Sequence, residues 1–184
     1  MSTTTRWTSA DLESLPDDGT RYEIIDGELY MSTAPHFYHA EVCTKACFRL
    51  ELWNQIEGRG KVIAGSGIIF ADDDDVIPDA LWISNERLAI ALGDDGKLHS
   101  APELVIEVLS PGATNEKRDH EIKLELYSRC GVSEYWILSW QNRQIEVYRR
   151  AEAELRLAVT LAETEVVESP LLPGFSCSIA SLFP

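Results

Sequence analysis

At 184 residues, 45% hydrophobic and 26% charged, the chain has the composition of one soluble domain large enough to bury a sizeable core. No apolar run reaches the roughly eighteen residues of a membrane span, and the opening MSTTTRWTSADLESLPDD has neither the basic start nor the apolar stretch of a signal peptide. A formal net charge of -15, from 31 acidic against 16 basic residues, argues against long-range attraction to nucleic acid, and four cysteines without a CxxC argue against a disulfide framework. The expected organisation is a single domain over residues 1–184, with 1–20 as an N-terminal extension, in the cytoplasm. A locally basic groove stays open at Lys117-Arg118, or at Arg143 with Arg149-Arg150.

The elements alternate along the chain as in an α/β fold. Tyr22 to Met31 (YEIIDGELYM) is two short β-runs around Asp26-Gly27, a dipeptide that supplies the positive φ angles of a tight hairpin. From Tyr38 to Glu57, Val42, Ala46, Phe48, Leu50 and Trp53 recur at helical steps, and Gly58 and Gly60 end the helix. Lys61 to Phe70 and Val76 to Ser84 are expected as strands around ADDDD, a solvated turn without the ligand spacing of a calcium loop. Asn85 to Ser100 is expected to be irregular. A strand at 103–109 is broken by Ser110-Pro111-Gly112, Asn115 caps a helix running to Cys130, and Gly131 stops it. GVSEYWILS and QIEVYRR follow as strands, so residues 103–139 have the spacing of a βαβ unit.

Three residues break the pattern. Glu107 stands between Val105-Ile106 and Val108-Leu109 in a strand apolar on both faces, as expected under helices on both sides. A buried carboxylate must be protonated, paired or holding a metal, because burying its charge alone costs several kcal/mol. On a wheel advancing about 100° per residue, Lys123 falls in the apolar sector of the next helix with Asp119, Ile122, Leu126 and Tyr127. Asp79 follows Pro78 at the start of another apolar strand. Two carboxylates on strands suit a hard divalent cation such as Mg²⁺, and an inward lysine suits orienting a water or stabilising phosphate charge. His39, Cys43 and Cys47 repeat every four residues, but positions i and i+8 of one helix lie about 12 Å apart, too far for all three to share one ion. A core stripe is the expectation for them, and a helix ion pair with Lys123, or its orientation, the expectation for Asp119.

YEIIDGELYMS, His39, PDALWIS, PELVIEVLSP and DHEIKLELYSRCGVSEYWIL, in this order, resemble the Uma-type restriction endonucleases, a branch of the PD-(D/E)xK nuclease superfamily. The resemblance implies a restriction-endonuclease-like core, a mixed central sheet flanked by helices, and Mg²⁺-dependent (or Mn²⁺-dependent) hydrolysis of DNA. Asp79 and Glu107 match its metal-binding acids. Leu109, not lysine, stands two residues after Glu107, and Lys123 matches the lysine of this branch. Glu23 matches an upstream acid, with His39, Asp119 and Ser110 as candidate supporting residues. Two symmetric sites in a homodimer would cut both strands. Lys123→Ala is expected to abolish cleavage and leave the fold intact. A non-catalytic nuclease-fold protein and a hydrolase of smaller phosphates are the alternatives.

Overall fold

The computed structural model describes residues 6–184. A short helix α1 (Ser9–Leu12) precedes the hairpin of β1 (Arg21–Ile25) and β2 (Glu28–Ser32). Asp26 and Gly27 carry φ of 53° and 75°, the positive pair that a two-residue turn between right-twisted strands requires. The segment before the hairpin is fastened to it, Trp7 N–H donating to the Gly27 carbonyl at 2.8 Å.

Helix α2 (Phe37–Glu57) ends where Gly58 turns left-handed at φ 65°. Its inward face is His39, Val42, Ala46, Leu50 and Trp53; Phe48, expected on that stripe, lies two positions past Ala46 and is 55% exposed.

The two long strands expected next are each divided in two. β3 (Gly60–Ala64) and β6 (Ala80–Ser84) join the central sheet, while β4 (Ile68–Ala71) and β5 (Asp74–Val76) join the hairpin in a side sheet of order β2-β1-β5-β4. Gly65, at φ 63°, and Pro78, which has no N–H for a ladder, mark the two crossovers. The acidic run is not a solvated turn throughout: Asp74 and Asp75 are buried. Asp74 accepts from Arg129 at 2.7 Å and from the Asp26 N–H at 2.9 Å, and Asp75 from Lys97 at 2.9 Å. Asp74→Ala removes the acceptor of the Asp26 N–H and leaves Arg129 with Asp26 alone, and is expected to lower unfolding stability by about 2 kcal/mol in urea titrations; an unchanged midpoint would show the pair to be idle.

The stretch expected to be irregular contains helix α3 (Asn85–Ala91), capped by Ser84 Oγ, which accepts the Arg87 N–H. After β7 (Leu104–Val108) come α4 (Ala113–Lys117), a π-turn (Arg118–Lys123) and α5 (Leu124–Cys130). The helical stretch begins after Gly112, at φ 113°, and Asn115 does not cap it; its side chain donates to the Pro111 carbonyl instead. Gly131 closes α5 at φ 93°.

β8 (Glu134–Ser139), β9 (Gln144–Ala151) and β10 (Glu154–Ala162) complete a central sheet of order β10-β9-β8-β7-β6-β3. Only β7 and β8 run parallel, the product of the helical crossover between them. β11 (Val166–Glu168), β12 (Ser176–Ser178) and a 3₁₀ turn (Ile179–Ser181) follow. Alternation along β7 divides the core: Leu104, Ile106 and Val108 pack toward α2 and the C-terminal segment, while Val105 faces α5 and the side sheet. Arg149 is paired with Glu134 and Arg150 donates to the Val132 and Ser128 carbonyls, so both guanidinium groups are engaged within the protein.

Candidate active site

Glu107 lies on the same face of β7 as Val105, toward α5. β6 pairs antiparallel with β7 from Ala80↔Ile106, and Asp79, the residue just before β6, reaches the N–H of Val108, the residue after Glu107. Asp79 is held by three donors: Val108 N–H at 2.8 Å and His39 Nε2 at 3.1 Å on Oδ2, and Arg21 at 3.3 Å on Oδ1.

Lys123 is 1% exposed, and its ammonium donates to Glu107 Oε1 at 2.9 Å and Glu23 Oε1 at 3.0 Å. Tyr127, one turn on, donates to the same Glu107 oxygen at 2.8 Å, and the Ile77 N–H donates to Glu23 at 2.9 Å. Glu23 and Arg21 alternate onto one face of β1, which brings the side sheet's contribution to this point. The widened π-turn holds both Asp119 and Lys123 inside, as the wheel predicts, yet Asp119 meets Arg118 at 3.5 Å and not Lys123. The expected Lys123–Asp119 ion pair is therefore absent among the described residues, because Lys123 reaches across to the sheet.

These groups wall a cleft of about 410 Å³. Asp79, Glu107, Lys123, Glu23, His39, Asp119 and Ser110 all line it. Sequence reasoning overlooked Arg21 and treated Tyr127 as plain core. Strand alternation from Glu23 signals the first, and the i+4 step from Lys123 signals the second.

Burial, reinforced by the neighbouring acids Asp79, Asp119 and Glu23, pushes the Glu107 carboxyl up to about 8 against the opposing pull of Lys123. Asp79 is held far below the usual carboxylate range despite its burial, because His39 and Arg21 favour its charge. Glu23 is lowered against burial by Lys123 and Arg21, and His39 is raised by Asp79 against its own desolvation. A carboxyl raised from 4.5 to about 8 binds its proton more tightly folded than unfolded, so its stabilisation is complete below about pH 4.5 and is lost as pH rises to 8. The raised His39 acts in the same direction above pH 6.5. Metal-free protein is expected to melt at a lower temperature at pH 8 than at pH 5, with Glu107→Gln flattening the profile. A Tm that climbs over that interval would contradict this charge assignment.

The donor set fits a hard divalent cation. Both bonds to Glu107 fall on Oε1, so no protein donor reaches Oε2 among the described residues, and Asp79 Oδ1 has only the long contact from Arg21. Carboxylate oxygens free on the cleft side are Mg²⁺ ligands by type.

A family model described as "Putative restriction endonuclease", Uma2, matches residues 9–180. The chain belongs to the Uma2 family. No curated protein matches it. Among solved structures, this Uma2 chain is similar to a "putative nuclease belonging to DUF820" from Anabaena variabilis ATCC 29413, with a TM-score of 0.73 at 18% identity over 95% of this chain and 96% of that one. That likeness establishes the fold: the mixed central sheet flanked by helices, with its antiparallel N-terminal hairpin, is shared with this neighbour.

Proposed function

We propose that this Uma2 protein is a Mg²⁺-dependent endodeoxyribonuclease, with Mn²⁺ as a substitute, that hydrolyses DNA phosphodiester bonds to 5'-phosphate and 3'-hydroxyl ends. It is read as one domain over residues 1–184, working in the cytoplasm as a homodimer whose two sites cut the two strands. The observation that carries the reading is that Asp79, bonded to the Val108 N–H, and Glu107 line the wall of one cleft, with the Lys123 ammonium bonded to Glu107 beside them.

Asp79 and Glu107 would hold the ion, with Glu23 close enough to contribute through water. When bound, the ion supplies Lewis acidity to the phosphate and eases deprotonation of water. Lys123 holds Glu23 charged, opposes the protonation of Glu107, and orients the attacking water toward phosphorus. Tyr127 fixes the Glu107 carboxylate, and His39 with the Val108 N–H fixes Asp79, so neither acid swings as charge develops. Arg21 and Arg118, lining the cleft, offer guanidinium groups to a phosphate oxygen and offset the acidic balance locally.

Purified protein is expected to cleave plasmid DNA with Mg²⁺ or Mn²⁺ and not in excess chelator, and to bind Mg²⁺ by calorimetry. Metal binding with cleavage confined to nucleotides would favour a hydrolase of smaller phosphates. Neither binding nor cleavage would identify a non-catalytic relative.

A further inference from the structure

Beside the cleft lies a cluster of rings to which the nuclease reading gives no task. Thr33 to Pro35 and His39 with Ala40 line the cleft, and the residues between them, His36, Phe37 and Tyr38, open helix α2. His36 stacks on Trp140 with ring centres 5.0 Å apart and planes 10° from parallel. Tyr38 tilts onto the same indole at 5.4 Å, and Phe37 meets Tyr38 edge-on at 5.8 Å. Trp140 directly follows β8 and packs on the core; its N–H has no acceptor among the described residues, so ring contacts set its orientation. It stands two residues past Leu138, the register partner of Val108, while Ser110, two past Val108, lines the cleft. Cluster and cleft therefore share one end of the sheet.

Core packing does not explain these rings, since Phe37 is 74% exposed and Tyr38 41%. His36 has a local job, its Nδ1 accepting the Tyr38 N–H, but Phe37 caps nothing. The surrounding charge is equally out of pattern: in a chain with 31 acidic residues, none occurs from Leu29 to Ala40 or from Ser139 to Arg143. We infer that His36, Phe37, Tyr38 and Trp140 form a stacking surface for unpaired nucleobases, so that the strand reaching the cleft is single-stranded or locally unpaired DNA. The identity of that strand rests on the proposed nuclease function. Within a duplex both faces of a base are covered by its neighbours, so an exposed ring stacks best on a base released from the helix. Stacking also suits an acidic protein, because it draws on the π-face of the base and not on phosphate charge. Arg21 and Arg118 are the guanidinium groups lining the cleft. Two phosphates neutralised on a single strand give a shallow salt dependence, with a log–log slope of about -1.4.

Anisotropy of a fluorescein-labelled oligothymidylate, titrated with the full chain in excess chelator so that nothing is cut, measures this binding. The single strand is expected to bind more tightly than a blunt duplex of the same length, with the shallow salt slope, and an abasic strand of that length to lose the advantage. Phe37→Ala and Tyr38→Ala should each weaken single-strand binding about tenfold with native circular dichroism, and Phe37→Trp should restore it. With Mg²⁺, the preference for single-stranded over duplex substrate in kcat/KM should fall in the same variants. No binding, equal binding of intact and abasic strands, or wild-type affinity in both alanine variants overturns the stacking surface, whether or not plasmid is cleaved. Phe37→Ala that lowers the sedimenting mass and leaves DNA affinity unchanged makes the patch a protein contact and also overturns it. Ring-dependent binding by a protein that cleaves nothing upholds the surface and removes the nuclease reading.

Discussion

Asp79→Asn and Glu107→Gln are each expected to lower Mg²⁺-dependent DNA cleavage by about a thousandfold or more, with melting of the metal-free protein kept within a few degrees of wild type. Both substitutions keep the size of the side chain and the oxygen that accepts from its neighbours. Asp79 retains an acceptor for the Val108 N–H and His39, and Glu107 one for Lys123 and Tyr127. Each loses the negative charge that would hold the cation, so cleavage and affinity fall together. Calorimetric titration of Mg²⁺ beside single-turnover cleavage separates this from misfolding, because weakened binding with native circular dichroism is the expected pair of results. The double variant should be scarcely worse than either single one, since two acids holding one ion act as a unit. Full cleavage by either variant would remove that residue from the site.

Lys123→Met is expected to cost about 3–5 kcal/mol of unfolding free energy at pH 8. Lys123 is buried with Glu23 and Glu107 as its acceptors, and removing it leaves two buried carboxyls with the half-buried Arg21, 3.8 Å from Glu23, and Arg118 as cations near them. Its burial and two acidic acceptors argue against the expectation that truncating Lys123 spares the fold. The cost should shrink at pH 5, where a Glu107 carboxyl with its affinity for protons raised to about 8 is already neutral and needs the ammonium less. Lys123→Met with Glu107→Gln should recover part of the loss, because the second change removes one stranded charge. Urea denaturation at both pH values measures the difference. An equal and small cost at pH 5 and pH 8 would mean that Lys123 is not the counter-ion of this cluster. Loss of cleavage alone cannot be credited to chemistry in this variant unless the folded fraction is measured beside it.

Much of the framework is legible in residue patterns. Asp26-Gly27 fixes its turn through φ, Gly58 and Gly131 end their helices for the same reason, and the apolar run around Glu107 is a strand covered on both faces. These are local constraints, satisfied within a few residues. The breaks at Gly65 and Pro78 are less legible, because a strand's sheet membership depends on partners far away in sequence. Asp74 and Asp75 look like surface residues until Arg129 and Lys97 arrive from other elements.

The amino-acid sequence by itself determined that Glu107 is buried, that Lys123 faces inward and that Asp79 opens a strand, because periodicity sets which side of a strand or helix each residue occupies. Only the tertiary structure decided which groups meet. The pairing of β6 with β7 brings Asp79 to the Val108 N–H beside Glu107, the side sheet brings Glu23 and Arg21, and Lys123 bonds to Glu23 and Glu107 in preference to Asp119, its neighbour one turn away. The physical reason is the range of the interactions. Side-chain direction is set by the local backbone, whereas a shared cation or proton depends on distances of about 3 Å between segments up to 100 residues apart, which strand pairing and the packing of the helical stretch on the sheets fix together.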